Sequence, residues 1–124
     1  MIVDSDVIIE VLRGNAKTAA WLRHQRAEGE VLRYSPVSRA EVRAGARPAE
    51  QPAISALFGS LVALPVEAST GDLAGDQLAR FAASHGVQMG DALIAAAAIE
   101  HRDDLATFNW RHFPGVKAVV TPGR

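Results

Sequence analysis

Acidic residues stand at three places where short apolar segments meet predicted helices. Asp4 directly follows the apolar pair Ile2 and Val3, Glu41 lies in the first turn of a predicted helix, and Asp91 opens an alanine-rich one. Helix N-termini favour negative charge, but three carboxylates that converge repel one another unless a cation neutralises them. A hard divalent ion such as Mg²⁺ or Mn²⁺ prefers oxygen ligands. Such a centre suits phosphodiester hydrolysis, because the metal activates water and stabilises charge on phosphoryl oxygens.

Helix capping is the alternative explanation for two of these acids. The segment Ser38-Arg39-Ala40-Glu41 matches a capping box, and Asp91 is a suitable cap for its own helix. Taken singly, Glu41 and Asp91 are better explained as caps than as metal ligands. Asp4 is different, because Ser5 and Asp6 already offer capping groups.

The elements that must position these acids are short apolar segments alternating with helical patterns. Predicted strands cover residues 2–3, 30–34, 61–66, 105–108 and 116–120, and predicted helices cover 6–12, 16–27, 38–46, 53–58, 69–84 and 90–102. This alternation predicts a three-layer α/β fold with a mostly parallel sheet flanked by helices. In such folds, sites lie just outside the carboxyl ends of the strands. The 124 residues suit a single domain over residues 1–124.

Composition narrows the class of protein. The 13 basic and 14 acidic residues give a net charge of −1, so the basic excess of many nucleic-acid binders is absent. The lack of Cys excludes disulfides, thiolate metal sites and Cys nucleophiles, and it favours a reducing compartment. Neither a signal peptide nor an apolar run of membrane-spanning length is present. We therefore expect a soluble, cytoplasmic protein that does not enter a membrane.

Four segments, in order along nearly the whole chain, resemble the motifs of PIN-domain ribonucleases of the VapC toxin type. They are IVDSDVII followed by LRG at 2–9 and 12–14, SPVSRAEV at 35–42, GDALIAA at 90–96 and LATFNWRHF at 105–113. The resemblance implies a PIN-like domain that cleaves RNA with Mg²⁺ or Mn²⁺ at the edge of its sheet.

The same resemblance assigns roles to individual residues. It implies that Asp4 and Asp91 are the main metal ligands and that Glu41 is a ligand directly or through water. Asn109 stands at the fourth site position, where some relatives carry Asp, and a neutral amide can hold water or phosphate but cannot act as a base. Some relatives carry another acid three residues later, where this chain has His112. The predicted site therefore has fewer carboxylates than theirs.

Other side chains near these motifs have weaker assignments. Asp6 is a peripheral candidate that either orients Asp4 or serves as a first-turn helix acid. His112 either contacts a phosphate or acts as general acid for the leaving oxygen, or is a plain polar residue in a turn. Trp110 is interpreted as a structural anchor in preference to a platform for a base.

The resemblance also implies a biological role. It predicts the toxin of a toxin–antitoxin pair, a VapB-type antitoxin that blocks the site, a homodimer, and an RNA substrate such as tRNA or another structured RNA. Arg39, Arg43 and Arg47 recur every four residues, which predicts one basic stripe on a helix. Such a stripe would contact an RNA backbone or an acidic segment of the antitoxin, although solvated faces commonly carry the same pattern.

Two other functions fit parts of the sequence. A haloacid-dehalogenase-like phosphatase would use Asp4 as nucleophile in Asp4-Ser5-Asp6, with residues 71–76 imitating its metal motif, but that motif should follow a strand and here opens a helical pattern. The non-enzymatic alternative is a PIN-like domain that binds RNA or a partner without cutting, because Asn109 and His112 replace acids.

Overall fold

Five short strands form one parallel sheet at the centre of the molecule. The structure is a computed structural model in which residues 1–123 are described. The strands are β1 (Ile2–Val3), β2 (Arg33–Tyr34), β3 (Val62–Ala63), β4 (Leu105–Ala106) and β5 (Val119–Val120). Their order in the sheet is β3-β2-β1-β4-β5, and every neighbouring pair is parallel. The predicted α/β fold with a parallel sheet is confirmed.

Within the described residues, six α-helices surround this sheet. They are α1 (Ser5–Leu12), α2 (Ala16–Ala27), α3 (Pro36–Ala44), α4 (Gln51–Gly59), α5 (Ala68–His85) and α6 (Met89–His101). Two 3₁₀ helices cover Pro48–Glu50 and Trp110–His112. Among the residues described, no helix combines the length and the apolar character needed to cross a membrane.

The sheet is buried on both faces, and neighbouring residues of β1 point to opposite sides. Val3 packs in a cluster with side chains of α1, α2, α3 and α4, whereas Ile2 packs with α6. This is the alternation that a strand imposes. Five alanines of α6 are buried, and α5 covers the outer side of α6 through a third apolar cluster. The small side chains let α6 lie close to both neighbours.

The two strands that pair with β1 are shorter than predicted, because β1 has only two residues, as predicted. Asp4 already serves as the N-cap of α1, so β1 has only two residues to pair. The predicted strand at 30–34 is accordingly reduced to Arg33–Tyr34, and that at 105–108 to Leu105–Ala106. The sharp turn from β1 into α1 leaves Asp4 at the carboxyl edge of the sheet.

The predicted start of the third helix is wrong. Helix α3 begins at Pro36, with Ser35 as N-cap accepting a hydrogen bond from the Val37 N–H at 3.2 Å. Proline is favoured in the first turn because its missing N–H has no partner there in any case. Ser38 therefore lies inside the helix and is buried, so Glu41 is not part of a capping box.

Candidate active site

The carboxyl ends of β1 and β4 lie side by side at the sheet edge. The register pairs Ile2 with Leu105 and Val3 with Ala106, so the next residues, Asp4 and Thr107, are neighbours. The Thr107 hydroxyl donates to Asp4 Oδ2 at 2.7 Å. Sequence reasoning did not single out Thr107. Its position directly after a buried strand, equivalent to that of Asp4, was the available signal.

Asp4 is a buried carboxylate with an unfavourable charge. It is 6% exposed, and Oδ1 accepts a hydrogen bond from the Ser5 N–H at 2.7 Å. Burial and, to a smaller extent, the charges of Asp6 and Asp91 raise the pKa of Asp4 from 3.8 to about 7, although the hydrogen bonds from Thr107 and Ser5 act in the opposite direction. A cation beside Asp4 would offset this repulsion.

Asp6 lies closer to Asp4 than its peripheral assignment implies. Its Oδ2 is 3.3 Å from the Thr107 hydroxyl and accepts from the Phe108 N–H at 3.1 Å. Its Oδ1 is buried, with no hydrogen-bond partner among the described residues. Burial raises the pKa of Asp6 as well. An unpartnered carboxylate oxygen next to a second carboxylate is a donor set that fits a bound cation.

Glu41 reaches the same edge from α3. It is exposed, its Oε1 accepts from the Ser5 hydroxyl at 2.8 Å, and that hydroxyl lies 2.9 Å from Ser38 Oγ. Glu41 Oε2 would lie 3.1 Å from a Cβ on Gly90. The absence of a side chain at Gly90 therefore lets Glu41 pack against the first turn of α6, next to Asp91.

Asp91, Asn109 and His112 form a hydrogen-bonded group on the other side. Asp91 Oδ2 accepts from the Gln88 N–H at 3.1 Å and lies 3.2 Å from His112 Nδ1. The same Nδ1 is 2.8 Å from Asn109 Nδ2. His112 Nδ1 therefore accepts from the Asn109 amide when it is unprotonated and donates to Asp91 when it is protonated. Asp91 contributes to the capping of α6 as the third residue of a capping box whose N-cap is Gln88, and its charge also raises the pKa of Asp4.

The acids suit a hydrated divalent cation better than a fully protein-ligated one. Within residues 1–123, no three His, Asp or Glu side chains are arranged to surround one metal ion. Glu41 is held by Ser5, and Asp91 is held by Gln88 and His112. Magnesium usually keeps several waters and takes only one or two carboxylates. The buried Asp4 and the unpartnered oxygen of Asp6 are compatible with that requirement.

The predicted basic stripe is not one helical face. Helix α3 ends before Arg47, whose Nε contacts Glu50 Oε1 at 3.0 Å. Arg39 Nη1 donates to the Tyr34 hydroxyl at 3.1 Å. Arg43 is exposed on α3. The three cations therefore have separate surroundings, because the helix is too short to align them.

The second acidic motif of the phosphatase alternative lies within a helix. Asp72 and Asp76 are exposed residues of α5. A phosphatase metal motif should follow a strand at the carboxyl edge of the sheet. Their helical setting removes that structural context.

Sequence comparisons with known proteins match nearly the whole chain. The family model for the PIN domain matches residues 1–118. Ribonuclease VapC10 of Mycobacterium tuberculosis is 38% identical over 123 residues, which cover 98% of this chain and 92% of that protein. Ribonuclease VapC19 of the same organism is 35% identical over 114 residues, covering 91% of each.

Solved structures share the fold at lower sequence identity. A toxin–antitoxin complex from Klebsiella pneumoniae matches with a TM-score of 0.76 and 24% identity, covering 98% of this chain and 96% of that chain. VapBC2 from Rickettsia felis, bound to a DNA fragment from its promoter, matches with a TM-score of 0.80 and 18% identity, covering 96% of each. At these identities the likeness concerns the fold.

Proposed function

This chain belongs to the PIN-domain family, and we propose that it is a Mg²⁺- or Mn²⁺-dependent endoribonuclease that acts as the toxin of a toxin–antitoxin pair. Its similarity to two ribonucleases along nearly its whole length supports the enzyme class. The observation that carries the chemistry is the buried Asp4 carboxylate at the end of β1, which shares the Thr107 hydroxyl with Asp6 and whose pKa is raised by burial and by the charges of Asp6 and Asp91.

The residues that would hold the metal are Asp4 and Asp91, with Glu41, which is held by Ser5, acting through a water. The unpartnered oxygen of Asp6 adds a further acceptor. A bound divalent ion would activate water and stabilise charge on the phosphoryl oxygens. Thr107 holds the Asp4 carboxylate in place through its 2.7 Å hydrogen bond.

Asn109 and His112 complete the proposed site on the side of Asp91. The amide of Asn109 would hold a water or a phosphate oxygen by hydrogen bonds. His112, 3.2 Å from Asp91, is the candidate general acid for the leaving oxygen, since an imidazole titrates near neutral pH.

The partner of this enzyme would be a VapB-type antitoxin in the cytoplasm, and the toxin would form a homodimer. Support comes from solved structures of the same fold, which include toxin–antitoxin complexes. Arg39, Arg43 and Arg47 remain separate candidates for contacts with RNA or with an acidic antitoxin segment. Of these, Arg43 is exposed on α3, the helix that carries Glu41.

Cleavage of structured RNA such as tRNA, measured with Mg²⁺, with Mn²⁺ and with a chelator, tests the proposal. We expect the chelator to abolish cleavage and Asp4→Asn or Asp91→Asn to reduce it at least about 100-fold, as loss of a preorganised charged group does. Asp72→Asn, an exposed change on α5, is the matched control and should leave cleavage unchanged. Wild-type rates in both site variants would refute the metal site.

A non-cleaving PIN-like domain is the second candidate. The observation that favours it is the pair Asn109 and His112, which stand at positions where some relatives carry acids. This function predicts RNA or partner binding without cleavage at any Mg²⁺ or Mn²⁺ concentration. The titration with both metals therefore separates the two candidates.

A further inference from the structure

A cavity of about 480 Å³ opens beside the candidate active site. Its walls come from the end of α5 and from the segment after β4, and it is lined by Ser84, His85, Trp110, Arg111, His112 and Pro114. Only His112 belongs to the site described above. The volume falls within the range of about 300 to 1,000 Å³ that small-molecule sites occupy.

One wall of the cavity is an exposed indole. Trp110 is 55% exposed, and the Arg111 guanidinium carbon lies 5.1 Å from the centre of its ring. The interpretation of Trp110 as a structural anchor is wrong, because Phe113 takes that role: its side chain is 2% exposed and packs in the core against α6. The exposure of Trp110 is therefore not explained by packing.

The cavity is also lined by a histidine ring that neighbouring side chains of its own helix hold in place. His85 makes an edge-on contact with the Phe81 ring at 5.5 Å. Its Nδ1 lies 2.7 Å from the Ser84 hydroxyl. Rings from two different elements thus line one cavity, and both are positioned by neighbouring side chains.

Arg111 gives the cavity a positive charge that fits an anionic group such as a phosphate. Its lining includes Arg111, His85 and His112 and no acidic side chain. His112 also connects the cavity to the acids, since its Nδ1 is 3.2 Å from Asp91 Oδ2. A group bound in the cavity would therefore lie next to whatever occupies the site at Asp91.

We propose that this cavity binds an unpaired nucleobase of the RNA, from the nucleotide adjacent to the phosphate that is cut. Trp110 stacks on the base, and Arg111 contacts the phosphate of the same nucleotide. The inference rests on the proposed ribonuclease function and adds a determinant of which nucleotide lies beside the cut. A single-stranded or looped RNA segment is required, because only an unstacked base can enter such a cavity.

The test uses a short single-stranded RNA that spans the mapped cut and a copy with an abasic nucleotide beside it. Affinity is measured by fluorescence anisotropy in EDTA, so that binding is separated from cleavage. We expect Trp110→Ala to weaken binding of the intact RNA by about 5- to 150-fold and Trp110→Phe to retain most of it. On the abasic RNA, Trp110→Ala should have no further effect. Val66→Ala, another exposed apolar change, is the control.

The outcomes separate this inference from the proposed function. Cleavage by the wild type combined with unchanged binding and KM in Trp110→Ala overturns the base site and leaves the ribonuclease in place. If no RNA is cut, an adenosine oligomer and its abasic counterpart replace the mapped RNA. If Trp110→Ala then lowers the affinity for the adenosine oligomer and not for its abasic counterpart, the base site is supported and the ribonuclease function is not. If Trp110→Ala lowers the affinity for the intact and the abasic RNA equally, the base site is overturned. It is also overturned if Trp110→Ala lowers the affinity for the antitoxin and leaves the affinity for RNA unchanged.

Discussion

Replacing Asp4 with Asn is expected to stabilise the metal-free protein while abolishing its activity. The Asp4 carboxylate is 6% exposed, and burial raises its pKa from 3.8 to about 7. Between these values the folded state binds more protons than the unfolded state, so the stability contributed by protonated Asp4 is lost as the pH rises. Asparagine does not titrate, so the Asp4→Asn variant lacks this pH dependence of stability. Its oxygen can still accept from Ser5, and its amide can donate to the Thr107 hydroxyl, which then donates to Asp6.

The expected gain follows from the size of the shift. The pKa shift of Asp4 from 3.8 to about 7 corresponds to a loss of about 4 kcal/mol in the free energy of unfolding of the wild type at pH 8. That figure is an upper value, because the amide forms weaker hydrogen bonds than the carboxylate. We expect a gain of roughly 1 to 3 kcal/mol in the free energy of unfolding, or about 3 to 12 °C in Tm for a domain of this size.

Urea and thermal unfolding in EDTA, followed by circular dichroism between about pH 5 and pH 8, measure this gain. The difference between variant and wild type reports on Asp4 together with its coupling to Asp6, because the titrations of the other groups are common to both proteins and cancel. Burial alone would raise the pKa of Asp103, but hydrogen bonds, chiefly those from the N-terminus and Arg33, outweigh it and lower the pKa. Asp103 therefore stabilises the folded state at pH values above its unfolded-state pKa, and this contribution does not change between about pH 5 and pH 8. Added Mg²⁺ should stabilise the wild type and not the variant. A variant that unfolds more easily than the wild type at pH 8 in EDTA would refute the reasoning.

Three further substitutions probe the surroundings of the site. Thr107→Val removes a buried hydroxyl that donates to Asp4 and should cost about 1 to 3 kcal/mol in urea unfolding; an unchanged midpoint would contradict this. Gly90→Ala places a Cβ 3.1 Å from Glu41 Oε2, so we expect roughly 2- to 10-fold slower cleavage with Tm nearly unchanged. Equal cleavage rates in the variant and the wild type would show that Glu41 is not part of the site. Gly86→Ala strains a left-handed C-cap with φ of 66° and should lower stability by about 1 kcal/mol, whereas Gly71→Ala inside α5 should not.

The fold was predictable because its signals are local and repeated. Short apolar segments alternate with helical ones, and such a pattern has few packing solutions other than helices on both faces of a parallel sheet. The position of Asp4 followed from the same logic, since a residue directly after a central strand must lie at the carboxyl edge. The start of α3 was missed because two serines compete for the cap. Ser35 is the N-cap, because Pro36 favours a helix that begins at its own position.

The neighbours of each acid were less predictable, because they come from distant parts of the chain. Thr107 is 103 residues away from Asp4, and only the pairing of β1 with β4 brings the two together. The contact of Glu41 with Gly90 likewise joins α3 to α6. Sequence spacing reports which residues share an element, and it does not report which elements meet. Those contacts depend on the register of the sheet and on the packing of the helices upon it.

Helix capping and participation in the proposed site are not competing explanations for an acid. Asp4 accepts from the Ser5 N–H through Oδ1, as a cap does, while its Oδ2 is held by Thr107 beside Asp6. Asp91 accepts from the Gln88 N–H, and its charge still raises the pKa of Asp4. An ionised carboxylate has about four acceptor positions, so one can complete a helix end while others remain for a ligand. The capping bond then fixes the side chain at the edge of the sheet, which is the preorganisation that a hydrolytic site requires.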